Sequence, residues 1–179
     1  MGIAIVLFIR LLVPFSIRRW PFWGGIAAIV ADGIDLHILN RFGWPYANGI
    51  EYQSLDKLLD LYYLAFEFVL VLQFKDLLIK RTLGALFVWR AIGVAIFEIT
   101  HLRYVLFFAP NIFEYVFLAL MATRKQVAQG RWKERQIFIG ALIIFTPLKL
   151  AHEYIMHVIE YPLGLGRMWD LFSAWWEGL

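Results

Sequence analysis

Apolar residues run along this chain in long blocks, separated by short clusters of Arg, Lys, Pro, Asn and Gly. Crossing the roughly 30 Å of hydrocarbon in a bilayer takes about 20 helical residues. Five blocks meet that length, at about 22–40, 57–74, 82–100, 103–122 and 137–159. A further block, at about 3–17, is shorter and holds Arg10 and Pro14; it is expected to span obliquely rather than lie in the interface. The spacers carry turn-forming residues: Arg18 to Pro21, Asn40 to Pro45 with Asn48-Gly49, Lys80-Arg81, and Gln129 to Arg131. Pro110 and Pro147 fall inside apolar blocks and predict kinks or freed carbonyls that neighbouring helices must satisfy. The tail from Tyr161 to Leu179 sets Trp169, Phe172, Trp175 and Trp176 among Asp170, Ser173 and Glu177, as an amphipathic helix at a membrane interface would. The pattern therefore predicts an all-α protein, a single integral membrane domain over residues 1–179. About six transmembrane helices form its bundle, followed by a C-terminal interfacial amphipathic helix.

Composition supports a lipid solvent. Hydrophobic residues make up 61% of the chain and charged residues 17%, with a mean hydropathy of +0.67. Soluble domains hold about 45–50% apolar and about 25% charged residues. The absence of cysteine excludes disulfides, thiolate metal sites and a cysteine nucleophile. A net charge of +3 does not point to nucleic acid, because the basic residues sit at the ends of apolar blocks, where lipid headgroups account for them. The start of the chain lacks a basic leader and a small-residue cleavage site, so no removable signal peptide is expected. In an alternating bundle, ten Lys and Arg fall at one set of ends and only Arg41, Arg103 and Arg167 at the other. Multi-pass topology with the basic loops in the cytoplasm follows as the expectation.

The remaining polar residues concentrate at the opposite, non-basic side. Asp32 and Asp35 end the second block; Asp56 and Asp60 open the third; Glu98 and His101 close the fourth; Asn111 and Glu114 lie early in the fifth; Lys149, His152, Glu153 and His157 lie late in the last. Residues three or four apart share a helix face, which pairs Asp32 with Asp35, Asp56 with Asp60, Glu98 with His101, and Lys149 with His152 and Glu153. The expectation is one polar cavity. Grouped carboxylates repel one another unless a cation or a basic partner neutralises them, and an all-oxygen donor set suits Mg²⁺, Mn²⁺ or Ca²⁺. The alternatives are plainer: aspartates at helix ends among headgroups, and a salt-bridge seam through Lys149 and Glu153. Arg90 is expected to form a buried ion pair with Glu98 or Glu67. Zinc is disfavoured, since His152 and His157 stand five residues apart on one helix.

The run Asp32-Gly-Ile-Asp35, a loop with Gly49, and then Asp56-Lys-Leu-Leu-Asp60 resembles the signature D-x2-D-G-x2-A-R-x8-G-x3-D-x3-D of the CDP-alcohol phosphotransferases. The resemblance covers roughly residues 20–62, and both acidic spacings match. Leu36 stands where the family has glycine, Leu39 and Asn40 where it has alanine and arginine, and the interval to Asp56 is about three residues longer. The family's site is cytoplasmic, whereas the charge bias here puts the aspartates on the other side. What the resemblance implies is a divalent metal, Mg or Mn, held by Asp32, Asp35, Asp56 and Asp60, with Asp60 also the catalytic base. Two functions are then expected as alternatives. One is a metal-dependent enzyme acting on a lipid-linked phosphate, with Lys149 or Arg41 steadying phosphate charge. The other is a transporter, ion-coupled carrier or accessory subunit. The expected partners are membrane lipids and a second copy or another membrane subunit.

Overall fold

The computed structural model of the protein describes residues 2–42 and 50–157, except the side chains of residues 50, 51, 156 and 157. The expected tail helix and the side chain of His157 lie outside the described residues. All regular structure in the described residues is helical: α1 (Gly2–Leu12), α2 (Phe15–Arg19), α3 (Pro21–Arg41), α4 (Ile50–Val71), α5 (Leu77–Thr100), α6 (Tyr104–Phe108), α7 (Ile112–Ala128) and α8 (Glu134–His157). Among the described residues, three helices are long and apolar enough to cross a membrane: α3, α5 and the Glu134–Ile155 part of α8.

The two blocks that contain Pro14 and Pro110 do not form single helices. Pro14 has no N–H for the Arg10 carbonyl, and the chain tightens there, with Ser16 N and Ser16 Oγ both donating to Val13 O at 2.9 and 2.6 Å. The helix restarts as α2, turns at Trp20 (φ −132°) and enters α3 with Pro21 in its first turn. The 103–122 block divides at Pro110 into α6 and α7, which is a break rather than the expected kink. The carbonyls freed at this break are satisfied from α5. Trp89 Nε1 donates to Phe108 O and Arg90 Nη1 to Ala109 O, both at 2.8 Å. Pro147 is carried inside a continuous α8.

The core joins α2, α4, α5 and α7 through Ile17, Tyr63, Leu64, Leu83, Phe113 and Phe117. Phe68 and Phe87 stack at 4.6 Å, and Phe113 meets Phe87 edge-on at 5.6 Å. Polarity is inverted relative to a water-soluble protein. Phe8, Trp23, Ile99 and Ile143 are each more than 65% exposed, while Arg10, Asp35, Asp60, Glu67, Arg90 and Glu114 are buried. Such an outward apolar surface fits lipid as the surrounding medium.

At the basic end, Asp76 caps α5 by accepting from Leu78 N at 2.9 Å and Ile79 N at 3.4 Å, and Arg135 Nε donates to it at 2.5 Å. The Arg135 hydrogen bond, with the two backbone donors, holds the Asp76 carboxyl below its ordinary value of 3.8. A carboxyl held low in the folded state contributes stability above its unfolded pKa and loses it as pH falls through the folded pKa. Asp76→Ala is therefore expected to lower the unfolding temperature at neutral pH. The gap from wild type should begin to close as pH falls below about 4, near the unfolded pKa of aspartate, and should be gone only once pH has passed the lower folded pKa. A gap independent of pH would assign the effect to packing.

A four-aspartate cluster around a buried arginine

Helix α1 brings Arg10 into the bundle, α3 brings Asp32 and Asp35 one turn apart, and α4 brings Asp56 and Asp60 one turn apart. The Arg10 side chain, 2% exposed, stands among all four carboxylates. Its Nη1 bonds Asp32 Oδ1 and lies 3.4 Å from Asp35 Oδ2. Its Nη2 donates to Asp60 Oδ1 at 2.9 Å and to the Asp56 carbonyl at 3.3 Å, and lies 3.5 Å from Asp56 Oδ1. Lys57 Nζ donates to Asp56 Oδ2 at 2.6 Å and to Asp60 Oδ2 at 3.2 Å. Arg90 reaches within 4.0 Å of Asp60 from α5. That contact replaces the expected pairing of Arg90 with Glu98 or Glu67; its other end is fixed by Ala109 O.

The cations at the cluster are thus Arg10, Lys57 and Arg90. Arg41, offered above for phosphate charge, is exposed at the end of α3, and Lys149 lies in a separate group on α8. Opposed ligands of a cation with metal–oxygen distances of about 2.1–2.5 Å stand about 4–5 Å apart. Asp32, Asp35 and Asp56 each place a carboxylate oxygen within 4.8 Å of the others. Both oxygens of Asp35 and Asp56 Oδ1 are buried and accept no hydrogen bond, despite Arg10 beside them. The Asp32 side chain, 37% exposed against 1% for Asp35, is the open side of the cluster.

A second layer lies deeper. The Arg10 guanidinium faces the Tyr63 ring at 6.0 Å. Tyr63 Oη donates to Glu114 Oε1, and Asn111 Nδ2 to Glu114 Oε2, each at 2.8 Å. Asn111 also caps α7 through Glu114 N. The N-x2-E spacing after Pro110 is that of a capping box, a signal present in the sequence for both side chains.

The other expected cavity residues are distributed differently. Glu98 is half-buried with Oε1 unbonded. His101 is exposed and ends α5 with φ of 55°, so it does not share the helical face of Glu98. Lys149 pairs with Glu153 at 3.0 Å and lies 3.4 Å from His152, beside a hollow of about 200 Å³ that Tyr115, Phe145 and Leu148 also line. No protein-family model, curated protein or solved structure matches this chain.

Proposed function

We propose that this chain is a multi-pass membrane protein in which Asp32, Asp35 and Asp56 take up a divalent cation, Mg or Mn, for chemistry at a lipid-linked phosphate. The observation that carries this reading is the set of buried carboxylate oxygens, Asp35 Oδ1 and Oδ2 and Asp56 Oδ1, that accept no hydrogen bond and of which two have only ion-pair contacts with Arg10 at 3.4 and 3.5 Å, while Asp32, Asp35 and Asp56 stand at a spacing that suits a single ion. Buried polar atoms without partners are rare, and an ion is one of the few groups that accounts for several at once. The cation, when bound, would neutralise phosphate charge and polarise a phosphoryl oxygen. Asp60 is held by Arg10 and Lys57. A phosphate that attracts either cation would free Asp60 to take a proton from an acceptor hydroxyl, the role implied by the resemblance to CDP-alcohol phosphotransferases. The positions of Asp32, Asp35, Asp56 and Asp60 on two consecutive helices support that resemblance.

Mg²⁺ or Mn²⁺ is expected to raise the unfolding temperature of the purified protein, with about 2.7 kcal/mol of stabilisation at a hundredfold excess over Kd. Asp35→Asn and Asp56→Asn should each remove that shift. A folded wild type whose melting is indifferent to both ions has no such site. The reading also takes all six apolar blocks across the membrane, α1 with α2 and α6 with α7 as broken helices, with the basic ends cytoplasmic. The chain has no cysteine, so Asn48→Cys and Ala128→Cys report cleanly. Membrane-impermeant thiol reagent applied outside intact cells should label the first and spare the second. Labelling in the reverse sense would place the aspartates on the cytoplasmic side, where the CDP-alcohol enzymes carry theirs.

A second reading, an ion-coupled carrier or an accessory subunit, is favoured by Glu67 and Glu114, ionisable groups buried deep among α3, α4 and α7.

A further inference from the structure

Glu67 is fully buried on α4, and neither of its carboxyl oxygens receives a hydrogen bond from a protein donor. It continues the stripe of Asp56, Asp60 and Tyr63 along one face of the helix. Gly25 of α3 makes room for it: a Cβ at that position would lie 2.8 Å from Glu67 Oε1 and 2.7 Å from Leu118 Cδ2 of α7. The ionisable group of another helix that acts on it is also an acid, Glu114 of α7. Where α5 and α2 meet α4 near this level, they do so through Phe87 on Phe68 and Phe15 on Phe66. No ion pair to Glu67 is formed among the described residues, and neither of its oxygens is hydrogen-bonded.

Glu114 has the opposite surroundings. Tyr63 and Asn111 donate to its two oxygens, an arrangement that stabilises a carboxylate. An ionised Glu67 would have no donor and a negative neighbour, and an isolated buried charge takes up a proton rather than persist. Carboxyls whose environments differ in this way divide into one that holds a proton and one that holds a charge. We propose that Glu67 is a proton-binding site at the centre of the bundle, occupied at neutral pH, with Glu114 as its charged partner beside Tyr63. The inference stands whether or not the aspartates bind a cation.

A buried protonated carboxyl is also the group that lipophilic carbodiimides modify. The acid O–H adds across one N=C bond, the proton going to nitrogen, and the O-acylisourea rearranges to a stable N-acylurea. Infrared spectra of wild type and Glu67→Gln at neutral pH should differ by the carbonyl stretch of one protonated carboxyl, shifted in D₂O. The corresponding Glu114→Gln difference should show carboxylate bands instead. After treatment with dicyclohexylcarbodiimide, peptide mass mapping should find the adduct on Glu67 and lose it in Glu67→Gln. Carboxylate bands in the Glu67→Gln difference would overturn the proposal. Should that variant fail to fold, mapping of treated wild type decides alone: modification at Glu67 supports the site and its absence refutes it.

Discussion

Arg10→Met is expected to destabilise the protein by about 3–5 kcal/mol, the range for removing one partner of a buried ion pair. The loss should lie toward the upper end, because Arg10 faces carboxylates from two helices and Lys57 reaches only Asp56 and Asp60. Asp35, 1% exposed, would be left with no cation within 4 Å among the described residues. Arg10→Lys should fall between wild type and Arg10→Met. An ammonium restores the charge, but it cannot reproduce the fork that serves Asp32 through Nη1 and Asp60 through Nη2. Adding Asp60→Asn to Arg10→Met should recover part of the loss, since residues in one network do not contribute additively. Denaturant unfolding in a fixed detergent measures all three, and superimposable curves for wild type and Arg10→Met would show that the arginine does not hold the cluster together.

The other large effects are steric. Gly24 of α3 lies against the backbone of α2, where a Cβ would stand 2.5 Å from Ile17 N and 2.6 Å from Ile17 Cα. Gly93 of α5 lies against the α6–α7 junction, where a Cβ would stand 2.1 Å from Ala109 Cβ. Neither neighbour is the end of a flexible side chain, so relief requires helices to separate. Close approach of backbones through small residues is the usual means of packing helices in membranes. Gly24→Ala and Gly93→Ala should each cost about 1–3 kcal/mol, the range for overpacking. Gly93→Ala should in addition loosen the bond from Arg90 to Ala109 O. Gly140→Ala on α8 is the control, with nothing within 4 Å of the added carbon. It should be neutral or gain up to about 1 kcal/mol of helix propensity. Equal thermal shifts for all three variants would remove the packing argument.

Much of the site could be read from residue spacing, and its centre could not. Asp32 with Asp35 and Asp56 with Asp60 lie three and four apart, so each pair had to share a helix face. Arg10 looks, in sequence, like an interruption that shortens an apolar block. The structure makes it the residue on which the aspartates converge, 22 positions from Asp32 and 50 from Asp60. A charge inside a hydrophobic run was the available signal. Lys57 was hidden inside the acidic motif itself. Arg90 was assigned the wrong acid because Glu67 lies at its depth on paper and Glu98 shares its helix, whereas the guanidinium is fixed by Ala109 O at the break before Pro110 and reaches Asp60. His101 failed to join Glu98 because α5 ends before it, in a left-handed turn that a spacing rule for helices does not anticipate.

By itself the sequence determined the helical class, the outward apolar surface and the membership of each acidic pair, because these depend on local periodicity and on a solvent that rejects unpaired backbone polar groups. It also marked Pro110 as a place where a helix must yield, whereas Pro147, marked in the same way, is carried inside α8. Only the tertiary structure decided which cation meets which carboxylate, that Tyr63 and Asn111 both serve Glu114, and that Glu67 is left with no donor. Those outcomes depend on the rotation and approach of α1, α3, α4, α5 and α7 relative to one another. Contacts between residues tens of positions apart set these quantities, and no window along the chain contains them.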